Sequence, residues 1–160
     1  MQEGRNMGRV IVQASMSLDG FIADTKDQVG PLFDWYGNGD VEFTGSDPDM
    51  VFHVSAARAD YLRKAWSNVA ADVIGRRLFD LTNGWHGNRA VGDAVFVVTH
   101  EPPTDWPYPD APFTFVTDGV EKCSGPGTSL RPRTETCRCL EDPEIVQGDR
   151  VTHLYYRVRK

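Results

Sequence analysis

Residues 71–80, A-D-V-I-G-R-R-L-F-D, decide how this chain is read. Val73 and Ile74 are β-branched and favour a strand, whereas residues 76–81 are helix formers with Leu78 and Phe79 available for burial. Gly75 stands at the change. A helix that starts where a strand ends presents unpaired N–H groups and the positive end of its dipole, which attract an anion. Arg76 and Arg77 follow at once and can add charge-assisted, bidentate phosphate contacts. The same residues also read as an ordinary strand-to-helix turn with solvated arginines.

The strand implied at 71–75 needs neighbours. Val10-Ile11-Val12, within residues 9–16, is a continuous apolar run expected in a strand buried on both faces at the sheet centre. A-V-F-V-V at 94–98 is a second such run, and strand-helix-strand order predicts that it pairs in parallel with 71–75. Thr99 and His100 then emerge at the same sheet edge as Gly75, where open α/β sheets bind ligands. His100 equally fits a plain surface loop. Residues 113–116 read as a further short strand. Five prolines within residues 101–112 make that stretch an extended connection around Trp106 and Tyr108.

S-L-D-G-F-I-A, residues 17–23, carries the turn signal Asp19-Gly20, and the tip of such a turn leaves backbone groups free for a ligand or serves as a turn alone. Residues 24–50 are rich in Gly, Asp and Pro and read as a long loop anchored by Leu32, Phe33, Trp35 and Tyr36. Trp35 either pins that loop to the core or lines a pocket for a flat substrate. From Ser55 a helix is signalled, with Val54, Arg58, Tyr61, Leu62, Ala65 and Val69 near one stripe. Asp60 lies on this helix, either as an acid serving a heterocyclic substrate or as a solvated carboxylate. Asn83-Gly84 is a left-handed helix stop.

A chain of 160 residues accommodates one domain, and residues 1–160 are taken as one. The net charge of −6 and pI near 5.1 disfavour a general nucleic-acid or anionic-membrane surface, so any anion must be held locally. No apolar run reaches membrane-span length, and residues 1–9 lack the apolar stretch of a signal peptide. A cytoplasmic protein is expected. The three cysteines, Cys123, Cys137 and Cys139, lack a fourth ligand and a paired C-x-x-C spacing, so no metal site is expected. Residues 122–140 show neither helical nor alternating pattern and read as irregular. Residues 144–146 and 151–158 flank Gln147-Gly148-Asp149-Arg150 as a closing antiparallel hairpin, with Thr152, Leu154, Tyr156 and Val158 expected on the core face.

In this order S-L-D-G-F-I-A, A-D-V-I-G-R-R-L-F-D-L-T-N-G-W, V-F-V-V-T-H, F-T-F-V-T-D-G-V-E and the closing hairpin resemble the dihydrofolate reductase-like superfamily. Within it the chain is most similar to stand-alone bacterial proteins related to the reductase domain of the riboflavin-biosynthesis deaminase-reductase. The resemblance implies an α/β fold, a mixed sheet with flanking helices and a C-terminal antiparallel hairpin. It implies an NADPH-dependent reductase passing hydride to a small heterocyclic or carbonyl substrate, as a homodimer. Ser15, Ile22 and Ala23 would contact the nicotinamide, Gly75, Arg76, Arg77 and Leu78 the phosphates, and Thr99 and His100 the adenosine end. The helix carrying Asp60 would border the substrate, with Asp60 as the candidate acid, and Asp19 and Trp35, read from their own residue types, are the candidates for the substrate pocket.

The chain departs from that pattern between Val120 and Leu140. The family there has a helix, a strand ending in a glycine pair that seats the pyrophosphate, another helix and a further strand. Gly125-Pro126-Gly127 is no substitute, and the abrupt change of composition reads as a deletion or an out-of-frame stretch. The alternative function is therefore a non-catalytic, truncated remnant that binds or dimerises.

Overall fold

The computed structural model describes residues 9–120, 140–147 and 151–158. Apart from Leu140, the expected irregular stretch at 122–140 with its cysteines and most of the final hairpin's turn fall outside these residues. The described chain is mixed α/β, with three separate small sheets rather than the single mixed sheet expected.

The first sheet pairs β1 (Val41–Thr44) antiparallel with β2 (Val51–Val54), Phe43 opposite Phe52. β1 corrects the expectation of a long loop at 24–50, as does a 3-10 turn at Gly30–Tyr36 with proline in its first turn. The physical reason is alternation: Val41 and Phe43 turn inward while Glu42 and Thr44 face water, which is enough for a half-buried strand. Helix α1 (Ala56–Trp66) follows, and its expected stripe is the buried one, with Val54, Arg58 and Leu62 each 0% exposed. Trp35, Phe43, Val54, Ala59 and Leu62 form one core, covered by Tyr36, Phe52, Tyr61 and Trp66.

The second sheet is parallel, in the order β3 (Ala71–Gly75), β4 (Ala94–Val98), β5 (Phe113–Val116). Gly75 opens directly into helix α2 (Arg76–Thr82), as the sequence predicts, with Ile74 beside Val97 and Gly75 beside Val98. The helix stops at Asn83 in the left-handed conformation (φ 50°), whose N–H donates back to the Asp80 and Phe79 carbonyls. Ile74, Phe79, Val95 and Val97 form the second core, with Trp85, Trp106, Phe113 and Phe115 packed on it. Leu78 is 44% exposed, so of the expected pair only Phe79 is buried.

Two further expectations are corrected here. Residues 10–12 form no strand, and β4 occupies the sheet centre instead. Val12 is 93% exposed. A strand exists only where a neighbour completes its ladder, and among the described residues 9–16 has none. The third sheet, β6 (Glu144–Gln147) with β7 (Thr152–Tyr155), is the expected hairpin, but turned over. His153 stacks on Tyr61 at 4.4 Å and meets Trp35 edge-on at 5.2 Å, so Val151, His153 and Tyr155 face inward. Because side chains alternate with period two, Thr152, Leu154, Tyr156 and Val158 then face solvent. Among the described residues no helix is long and apolar enough to cross a membrane.

Candidate functional site at the carboxyl edge of the parallel sheet

The parallel register puts Gly75, Thr99 and the end of β5 along one edge. Thr99 donates its N–H to the Val116 carbonyl at 3.0 Å, which continues the ladder one residue past β4. Its hydroxyl donates to the Glu101 carbonyl at 2.8 Å and accepts the Glu101 N–H at 3.2 Å, closing a tight turn in which Thr99 is buried and His100 is exposed. Arg76 reaches across to this turn. Its Nε donates to Asp80 Oδ1 at 2.8 Å, and its Nη1 donates to the Glu101 carbonyl. A Cβ built on Gly75 would meet nothing within 4 Å, so the backbone between β3 and α2 lies open to a ligand.

Arg77 points to another partner. It forms an ion pair with Asp27, a residue in the left-handed region (φ 61°) of a turn built around Asp24, whose Oδ1 accepts the N–H groups of Lys26 and Gln28. This ion pair links the edge to the segment after residues 17–23. That segment is a true turn: Gly20 has φ 88°, Ser17 N–H donates to the Phe21 carbonyl at 2.8 Å, and the Ser17 hydroxyl donates to Asp19. Asp19 and Ile22 are exposed, while Ser15 and Ala23 are half-buried. Asp27 gave no signal in the sequence, because an aspartate in a polar loop is found for its turn chemistry and not for a partner fifty positions away.

Beside Arg76 lies an open cleft of about 300 Å³, bordered by Arg76, Asp80 and Asn83 on one side and by Pro103, Asp105 and Trp106 on the other. Trp106 packs on Phe79 (5.2 Å between ring centres) and Phe113 (5.0 Å), so the proline-rich connection is a cleft wall rather than a plain linker. An aromatic residue set among prolines was the available clue. Gly84 is what admits the tryptophan: with φ 55°, a Cβ there would lie 2.7 Å from Phe79 and 3.0 Å from Trp106.

Two expected site residues lie elsewhere. Trp35 is 4% exposed, stacked on Tyr36 at 3.8 Å and under the Arg58 guanidinium, so it belongs to the first core and not to a pocket wall. Burial, with Tyr61 nearby, pushes the Tyr36 hydroxyl up to about 12. Asp60 is on the outer face of α1, its side chain 71% exposed and paired at 3.0 Å with Arg63 one turn on. A helix offers one buried stripe, and Arg58, Ala59 and Leu62 take it. Among the described residues no group of three His, Cys, Asp or Glu side chains is placed to hold a metal. Comparison with family models, with curated proteins and with solved structures finds no match to this chain.

Proposed function

We propose that this chain is a dihydrofolate reductase-like protein whose β3–β4 edge binds the phosphates and adenosine end of NADPH, in the service of hydride transfer to a small heterocyclic or carbonyl substrate. The observation that carries the reading is the junction of Gly75 and Arg76 with Thr99 and Glu101. Parallel pairing brings the start of α2 and the turn after β4 together, and Arg76 spans them. The residues fit the phosphate half of such a cofactor. Gly75 leaves open space, Arg76 holds weak partners it can exchange for a phosphate, and Arg77 is 76% exposed with Asp27 as its competing anion. His100 is exposed at the end of the same turn, where a further phosphate would lie. The nicotinamide supplies the hydride when bound; the chain's own contribution is to seat and orient it. With Asp60 facing water, solvent is the source of the product's proton.

Titration of NADPH fluorescence against the purified chain tests the reading. Saturable binding that weakens about tenfold in Arg76→Ala, at one lost charge-assisted contact, is expected. Absence of binding at high micromolar cofactor would end the case for a reductase.

The second reading, a non-catalytic remnant with a binding or dimerising role, is favoured by a different observation. β3 has a partner on one side only among the described residues, and Trp35 and Asp60 supply no substrate wall. It expects no NADPH binding and no effect of Arg76→Ala on any interaction of the protein.

A further inference from the structure

Among the described residues β3 is an edge strand of a parallel sheet, a position that natural proteins normally pair or cover because its unpaired N–H and C=O groups recruit other strands. Nothing blunts it by charge or proline along most of its length: Ala71, Val73, Ile74 and Gly75 leave it flat, and Val73 is 39% exposed. The same chain holds the complementary feature. Val10, Ile11 and Val12 are three consecutive β-branched residues outside any strand, 51%, 46% and 93% exposed. Residues 122–139, by contrast, contain a single bulky apolar residue, Leu130, and no β-branched run.

We propose that residues 9–12 of one copy add as a parallel strand to the free edge of β3 in a second copy, and that two copies exchange these strands reciprocally. The register follows from the side chains. Setting Val10 beside Val73 and Ile11 beside Ile74 puts Arg9 beside Asp72 and Val12 beside Gly75. Arg9 and Asp72 then meet as opposite charges on one face of the sheet, two positions from the Ile11–Ile74 contact. Asp72 is half-buried and its carboxyl is raised by burial, with the Val73 backbone opposing this, so a nearby cation restores what the carboxylate lost to desolvation. Each copy carries one donor and one acceptor, so reciprocal exchange closes at two copies and leaves neither edge open. The inference stands whether or not NADPH binds, since it uses the opposite side of β3 from the pairing with β4 and no residue of the cofactor edge beyond Gly75.

Sedimentation of the full chain across micromolar concentrations tests it, with circular dichroism to confirm folding. A dimer is expected. Ile11→Pro removes a ladder donor from a segment that belongs to no element, so it should weaken association at least about tenfold while the circular dichroism is unchanged. Asp72→Arg should weaken it similarly, and adding Arg9→Asp should restore it. A monomeric chain overturns the proposal, including one whose residues 10–12 resist hydrogen exchange, which would mean the strand folds onto its own edge. A dimer that survives Ile11→Pro and dissociates with Leu154→Lys also overturns it, by assigning the association to the outer face of the hairpin.

Discussion

Arg58 donates from Nη1 to the Trp35 carbonyl at 2.7 Å while its guanidinium carbon lies 5.4 Å from the centre of the Trp35 ring. The same Nη1 donates to Asn38 at 2.9 Å, and the residue is 0% exposed. One cation thus ties α1 to the 3-10 turn before β1 by a hydrogen bond to its backbone and by attraction to its aromatic face, and to the Asn38 side chain just beyond it.

Removing that cation strands a buried carbonyl and leaves a cavity under Trp35. Arg58→Ala should destabilise the protein by about 3 kcal/mol, and Arg58→Lys by at least about 1 kcal/mol, because an ammonium lacks the planar guanidinium that stacks on the Trp35 ring while Nη1 donates. Urea unfolding followed by far-ultraviolet circular dichroism measures both.

His153 gives the first core an acid sensitivity. Burial lowers its basicity below the ordinary 6.5, with the nearby Arg58 charge adding to the effect. The folded protein therefore resists protonating a group that the unfolded chain protonates freely. This contribution to stability is complete above pH 6.5 and is lost as pH falls from there toward the lower folded value. The slope from one histidine is at most about 1.4 kcal/mol per pH unit. His153→Phe keeps the stack on Tyr61 and should flatten the stability profile between neutral and mildly acidic pH; an unchanged profile would remove His153 as its cause.

Gly84 is a point where backbone conformation and packing agree. An alanine there must hold φ 55° and push its Cβ against Phe79 at 2.7 Å. Gly84→Ala should cost about 2 kcal/mol and shift Trp106 in the cleft, visible in the near-ultraviolet circular dichroism.

Asp60→Asn is the contrasting change. Its exposed pair with Arg63 is worth at most about 0.5 kcal/mol, so the unfolding midpoint should hardly move, and NADPH affinity should be unaltered. A marked loss of affinity would place α1 at the cofactor after all.

Local pattern was legible wherever one face or one turn decides an element. Residues 71–80 announced a strand, a hinge at Gly75 and a helix, and Asn83 announced its end, because β-branching, glycine and left-handed capping act within a few residues. The stripe of α1 was equally plain, including Arg58, whose burial is the least expected consequence of a correct helical period. The convergence of Gly75 and Thr99 followed from strand-helix-strand order. By contrast, the alternating Val41 and Phe43 went unread inside a loop-like composition, and Asp27 was invisible because its role depends on an arginine far along the chain.

By itself the sequence determined the parallel β3–β4 pair, the helix starting at Arg76 and the hairpin at the end, since these rest on short-range periodicity and turn chemistry. The tertiary structure alone decided which hairpin face is inward, where Trp35 and Asp60 lie, and that Val10, Ile11 and Val12 stand outside any strand among the described residues. Those outcomes depend on which surface is present to be covered: a strand needs a neighbour's hydrogen bonds and an aromatic needs a core, and neither is encoded in the residue that seeks it.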